Sequence, residues 1–195
     1  MYKFPLKIPV GRKVEITQAF KSTELIDYYK SKGINITSHE ALDVACGDAA
    51  QTYGTPFVCP FPIATLDRMN PADADNGIAG LIQIKSGDLT LGGIHLSEVI
   101  KQDVYKEGDV LGYIGNYGYV LPAPTIAKPF DGSHIHLYLI QGGKAVNPLL
   151  YFDVNNPFRG EDNPRRDILA VRWAIRQIEK LTGIEILKFF PGLTI

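Results

Sequence analysis

The sequence predicts a mainly β protein that ends in a helix. Nineteen glycines and thirteen prolines among 195 residues imply many turns. The apolar runs between them are short, as strands are. Sustained helical spacing occurs only late, where Ile168, Val171, Ile175 and Ile178 recur between Asp167 and Leu181. A chain of this length supports one substantial domain, with room for an appendage.

Residues 1–21 hold an extended apolar segment ending in Val14-Glu15-Ile16-Thr17-Gln18-Ala19-Phe20. Ser22 to Lys32 reads as a short helix, with Ser22 as N-cap, Glu24 in the first turn and Gly33 as the stop. Asn35 to Ser38 lead to His39. The apolar run Leu42-Asp43-Val44-Ala45-Cys46 then marks a loop entering a strand, and Gly54-Thr55-Pro56 turns into the next one. Ile63 to Leu66 is another strand, and Met69 to Ile78 reads as a polar surface loop. Gly80 to Lys85 and Leu89 to Leu96 form an out-and-back pair around Ser86-Gly87-Asp88. Val110 to Gly115 is a further strand. Asn116 to Asp131, with Pro122, Pro124 and Pro129, is a loop long enough to suggest binding. Asn147-Pro148 is expected to end the β region. Past Pro164 the helix is expected to pack on the domain, with Arg165, Arg166, Arg172 and Arg176 in solvent.

Lys and Arg total 20 and Asp and Glu 21, a net charge of -1. That balance gives no case for nucleic acid or an anionic membrane as partner. No uninterrupted apolar stretch reaches bilayer length. Met1 to Ile8 carries Lys3, Pro5 and Lys7 and lacks the apolar core of a secretory signal. The expectation is synthesis in the cytoplasm without a leader. Cys46 and Cys59 each close an apolar run and are expected as small buried residues on neighbouring strands, in preference to a disulfide or a metal pair.

The chemistry concentrates in four histidines. His134 and His136 lie in Asp131-Gly132-Ser133-His134-Ile135-His136-Leu137-Tyr138-Leu139. Side chains alternate along a strand, so both imidazoles project to one face. Such a pair can share a metal ion, or one ring can bind it while the other works beside it. Catalytic zinc takes three protein ligands and keeps a fourth position for water. His39, Asp43 and His95 are the other candidates. Spacing alone leaves their convergence open, and each has a bland alternative: a hydrogen-bonded structural histidine or a turn aspartate.

The motifs carry a resemblance. His39-Glu40-Ala41-Leu42-Asp43 matches a His-x-x-x-Asp motif, Gly54-Thr55-Pro56-Phe57-Val58 a Gly-Thr-Pro-Val turn, and Ile94-His95-Leu96-Ser97 the end of a Tyr-x-His-Leu segment. Glu107 to Gly118 matches a glycine-spaced hairpin, His134-Ile135-His136-Leu137 a His-x-His motif, and Val146-Asn147-Pro148-Leu149 a domain exit. In this order they resemble the lysostaphin-type (LytM-like) zinc metallopeptidases, which cut peptide cross-links in bacterial peptidoglycan. The resemblance covers residues 13–151 and implies an antiparallel β-sheet groove with a metal on its floor. It divides the chain into an N-terminal extension (1–12), the peptidase domain (13–151) and a C-terminal helical appendage (152–195). It implies that His39, Asp43 and His136 bind Zn2+, and that His134 and His95 are catalytic, His134 as base and His95 toward the oxyanion. The implied partner is a wall peptide, met after release or as part of a phage particle.

Three positions depart from the pattern. Gly93 stands where the family has tyrosine, Ala41 where it has glycine, and Tyr138 where it has phenylalanine. Tyr117, Tyr119 and Tyr138 are the candidate substitutes for the missing phenol. Two other classes of function compete: a non-catalytic module that activates another wall hydrolase, and a structural zinc domain using Cys46 or Cys59 as a fourth ligand.

Overall fold

The computed structural model describes residues 1–72, 78–161 and 166–190. Among them run β1 (Tyr2–Ile8), β2 (Glu15–Gln18), α1 (Ile26–Ser31), β3 (Leu42–Ala45), α2 (Ala49–Thr52), β4 (Pro56–Val58), β5 (Ile63–Asn70) and β6 (Leu81–Ser86). There follow β7 (Leu89–Ile94), β8 (Leu96–Val99), β9 (Val104–Lys106), β10 (Val110–Ile114), β11 (Ile135–Gln141), β12 (Lys144–Val146), β13 (Phe152–Arg159) and α3 (Arg166–Thr182). One sheet has the order β13-β1-β4-β10-β8. The other has β2-β3-β11-β7-β6-β5-β9, with β12 also paired to β11. Every described pairing is antiparallel except β1 with β13.

The core joins the two sheets. Phe4, Leu6 and Ile8 of β1, Phe57 of β4 and Leu111 of β10 share one buried cluster with Val44 of β3 and Ile84 of β6. On β11 the strand period sorts the chemistry. Ile135, Leu137 and Leu139 enter that cluster, which leaves His134, His136 and Tyr138 on the opposite face. Each fully buried aliphatic or aromatic side chain contributes about 1.5–3 kcal/mol, so β11 is held from behind while its front stays available.

Several sequence expectations change. The segments flanking the expected domain, 1–12 and 152–195, supply β1 and β13, which pair with each other. The β region therefore continues past Asn147-Pro148, through a 3-10 turn at Pro148–Leu150. The helix expected from Ser22 starts at Ile26, because Ser22 is already committed. Its carbonyl accepts from His39 N at 2.9 Å, and its Oγ accepts from Glu24 N at 3.3 Å. Met69 and Asn70, expected in a loop, extend β5, with Asn70 opposite Leu81. Residues 73–77 of that loop lie outside the described residues. Cys46 and Cys59 are buried and free, but they follow β3 and β4, which belong to different sheets.

The C-terminal helix forms close to where its periodicity places it, with a different inner face. Leu169, Ala170, Arg172 and Trp173 are buried, whereas Ile168 and Val171 are exposed. Tyr53 selects that face: it packs on Leu169 and Ala170, and its hydroxyl donates to the Leu169 carbonyl at 3.3 Å. Arg172, expected in solvent, is therefore among the buried residues, while Pro164 and Arg165 lie outside the described ones. No helix among the described residues is long and apolar enough to cross a membrane.

Candidate metal centre

Strand register builds the centre. His136 lies directly opposite Asp43 of β3 on one side and Ile94 of β7 on the other. Asp43 in turn lies opposite Gln18 of β2. One row thus crosses four strands as Gln18, Asp43, His136 and Ile94. His39 joins from the loop before β3, where its backbone N–H and C=O bond to Ser22 and Lys21.

Three donor atoms meet there. His39 Nε2 lies 3.0 Å from His136 Nδ1 and 3.1 Å from Asp43 Oδ1, and His136 Nδ1 lies 3.0 Å from the same oxygen. Bonds of about 2.0–2.1 Å to one tetrahedral zinc hold ligand atoms roughly 3.3 Å apart. The triangle is slightly tighter than that and is open on one side. His39 Nδ1 faces the Ala19 carbonyl at 3.4 Å. A carbonyl only accepts, so the proton belongs on Nδ1 and Nε2 carries a lone pair toward the triangle. Two nitrogens and a carboxylate oxygen, from buried His39 and Asp43 and half-buried His136, suit a borderline divalent cation such as zinc. His39, Asp43 and His136 could hold such an ion. Neither cysteine joins this cluster. Cys46 Sγ contacts Thr55 Oγ1 at 3.1 Å, and Cys59 Sγ donates to the Phe61 carbonyl at 3.5 Å.

The other two histidines stand beside the triangle. The rings of His95 and His134 are 4.8 Å apart, and His134 Nε2 is 3.8 Å from Asp43 Oδ1. Each Nδ1 meets a backbone carbonyl: Gly132 O at 2.8 Å for His134 and Tyr117 O at 2.5 Å for His95. Each ring is thereby fixed as the Nδ1–H tautomer when neutral, with a lone pair at Nε2. His95 sits where the chain leaves β7 for β8 and so passes from one sheet to the other. Its φ is +72°, a left-handed value that a non-glycine residue adopts only where its surroundings enforce it. Bonds from His95 N to Ala79 O (3.2 Å) and from Leu96 N to Gly80 O (3.0 Å) hold the corner.

Burial opposes the charge on Asp43. The contacts with His136 Nδ1 and His39 Nε2, which act as hydrogen bonds when those nitrogens carry protons and no cation is present, outweigh it together with the nearby His134 and hold the carboxyl well below its usual range. Burial, then the neighbouring His134 and His136, push His95 well below the ordinary histidine value. Burial also lowers His136, against the pull of Asp43. Burial thus favours neutral imidazoles at His95 and His136 beside an ionised Asp43, and a neutral His136 with a carboxylate is the state a cation needs.

A cavity of about 530 Å3 opens in front, lined by His39, His95, His136, Tyr119, Tyr138 and the segment from Ile34 to Glu40. Tyr29 of α1 stacks on His39, with ring centroids 6.3 Å apart and planes 6° from parallel. The expected helix and long loop are therefore walls of this groove.

Among solved structures, a chain of the SpoIIIAH–SpoIIQ complex aligns over 78% of this chain and 100% of its own length, at 18% identity and a TM-score of 0.53. A zinc-containing peptidase from Vibrio cholerae aligns over 75% of this chain and 39% of its own, at 13% identity and a TM-score of 0.52. The catalytic domain of the antimicrobial peptidase lysostaphin from Staphylococcus simulans aligns over 72% and 91%, at 18% identity and a TM-score of 0.50. The fold is LytM-like. No family model and no curated protein matches the sequence.

Within this LytM-like fold the departure at Gly93 has a structural reason. A Cβ there would lie 2.7 Å from Ile135 Cδ1 and 2.8 Å from Phe57 Cε1, on the core side of the sheet. Any side chain at 93 would enter the core. The adjacent Gly92 faces the groove, and the Tyr138 ring occupies the space its Cβ would fill. Tyr138 donates to Gln83 Oε1 at 2.7 Å, and burial pushes its pKa up to about 12. Of the candidate phenols, Tyr119 and Tyr138 line the groove, while Tyr117 contributes its carbonyl to His95. Sequence reasoning missed two supports of the LytM-like groove. Asn116 Nδ2 donates to Pro129 O at 2.8 Å and Asp131 O at 2.9 Å, which pins the long loop just before His134. Gln18 completes the metal row. A lone buried amide carries no motif, so neither was visible beforehand.

Proposed function

We propose that the protein is a zinc-dependent endopeptidase that hydrolyses peptide cross-links or stem peptides of bacterial peptidoglycan. The observation that carries this reading is the triangle of His39 Nε2, Asp43 Oδ1 and His136 Nδ1 beside two histidines whose Nε2 atoms are free to act as bases. The peptidase structures that share the fold, one described as containing zinc, support it.

A zinc ion held by His39, Asp43 and His136 would supply a Lewis acid and an acidified water. The chain's own residues supply the proton path. His134, which lines the smaller cavity beside Asp43, has its Nε2 lone pair 3.8 Å from Asp43 Oδ1. In this role His134 takes the water's proton and then returns it to the leaving amine. His95 is neutral and also carries a lone pair at Nε2, so in that form it accepts a hydrogen bond from the attacking water. The oxyanion role expected for it needs an N–H at Nε2, and His95 has one only after receiving a proton. The place of action that goes with this function is the cell wall, reached after release or as part of a phage particle.

The test is turnover of purified peptidoglycan with and without a chelator. Loss of activity with the chelator and recovery on adding zinc supports the proposal, and equal activity in both rejects metal dependence. A second reading, a non-catalytic module that activates another wall hydrolase, draws on the likeness to a chain of the SpoIIQ–SpoIIIAH assembly, which is described as pore-forming. It prevails if His134→Ala keeps both zinc and biological function.

A further inference from the structure

Beside Asp43 and His136, the row has a third polar member with no assigned task. Gln18 lies opposite Asp43 on the groove face and is only 5% exposed. Its Oε1 accepts a long hydrogen bond, 3.5 Å, from the Tyr29 hydroxyl, while its Nε2 has no partner in the protein. A buried amide N–H left unpaired is destabilising, so this position is not one that packing alone selects.

Gln18 also borders a second cavity of about 150 Å3, distinct from the large one. Asp43 and His134 form its inner end, and Tyr28, Tyr29 and Tyr119 form its walls. Tyr29 and Tyr119 line both cavities; the larger one reaches His39 and His136, the smaller one Asp43 and His134. A peptide crossing the metal centre would occupy both.

We infer that Gln18 is a positioning residue for the substrate: its Nε2 donates to a backbone carbonyl oxygen of the wall peptide lodged in the smaller cavity, next to the bond that is cut. A neutral carbonyl suits the place better than a carboxylate, because Asp43 holds negative charge in the same row. The amide N–H is buried and unpartnered in the free protein, and a peptide carbonyl reaching it through a small shift of the cavity wall would satisfy it in the complex. A cavity of this volume, walled by Tyr28, Tyr29, Tyr119, Leu25 and Leu121, suits a small residue. This assignment rests on the peptidase reading.

The experiment titrates zinc-loaded protein with soluble cross-linked peptide fragments prepared from purified walls. Affinity is read by calorimetry, and the Gln18 side-chain amide by 15N NMR. The wild type is expected to bind, with the Gln18 NH2 resonances shifting. Gln18→Met keeps the length and removes the donor, and is expected to bind roughly tenfold more weakly with its zinc content unchanged. Gln18→Glu, which can accept but not donate, is expected to lose at least as much. For cleavage, the loss belongs in KM with kcat largely kept. Equal affinity of wild type and Gln18→Met overturns the inference and leaves the peptidase reading standing. Full binding by Gln18→Glu also overturns it, since the cavity would then take a donor. If the wild type binds no wall fragment and releases none, the peptidase reading falls, and the inference with it.

Discussion

His39 and Asp43 reach one point from the two ends of a five-residue stretch, because the chain turns into β3 between them. His136 reaches it from the neighbouring strand. The ligand triangle therefore depends on each side chain singly. His39→Ala or Asp43→Asn is expected to reduce zinc from one equivalent to a small fraction, read by atomic absorption after dialysis. His134→Ala is expected to keep the zinc and lower turnover by roughly 10²–10⁴-fold, the range for a lost general base. These residues were the most legible part of the sequence. Histidine is scarce here, and His-x-His on a strand states its own geometry. Gln18 and Asn116 were illegible for the converse reason: amides serve everywhere, and only the cross-strand partner reveals the task. Cys59 gives a residue-level prediction about pH. Burial raises its thiol to about 11, while an unfolded thiol titrates near ~8.5. Between these values the folded state holds the extra proton, so stability falls as pH rises through that window and is unaffected below it. Thermal melts from pH 8 to 11 should show the decline, with a shallower slope in Cys59→Ala.

Among elements, β7 shows how a sequence pattern can mislead about a side chain's destination. The family tyrosine is missing at Gly93, yet a phenol placed there would enter the core against Ile135 and Phe57. Gly93→Tyr is thus expected to destabilise the fold by about 1–3 kcal/mol through overpacking and to leave wall-cleaving activity no higher. Urea melts and a turnover assay check both halves, and a more active variant would refute the register. The strands around the site were readable from alternation and glycine turns. The start of α1 was not, because the contacts that hold Ser22 come from His39, seventeen residues away. The inner face of α3 was hidden for a similar reason. Its sequence offers apolar residues on more than one side, and Tyr53 picks among them.

For the whole molecule, the pairing of β1 with β13 joins the two chain segments that the sequence sets outside the domain. Neither shows a strand signature: Tyr2–Ile8 is interrupted by Pro5, and Phe152–Arg159 by Pro157. Proline is tolerated there because β13 is an edge strand and β1 pairs irregularly, with shifts at Phe4 and Lys7. Long-range pairing of this kind leaves no local trace. Yet Phe4, Leu6 and Ile8 are fully buried. Removing residues 1–8 is expected to abolish the cooperative thermal transition seen by circular dichroism; a truncated protein that melts like the full chain would refute the burial. The corner at His95 ties the two layers together in another way. That residue is a seam as well as a ring in the groove: a slide of one layer against the other would carry its imidazole away from His134 and His136, whose rings lie 4.8 and 6.1 Å from it.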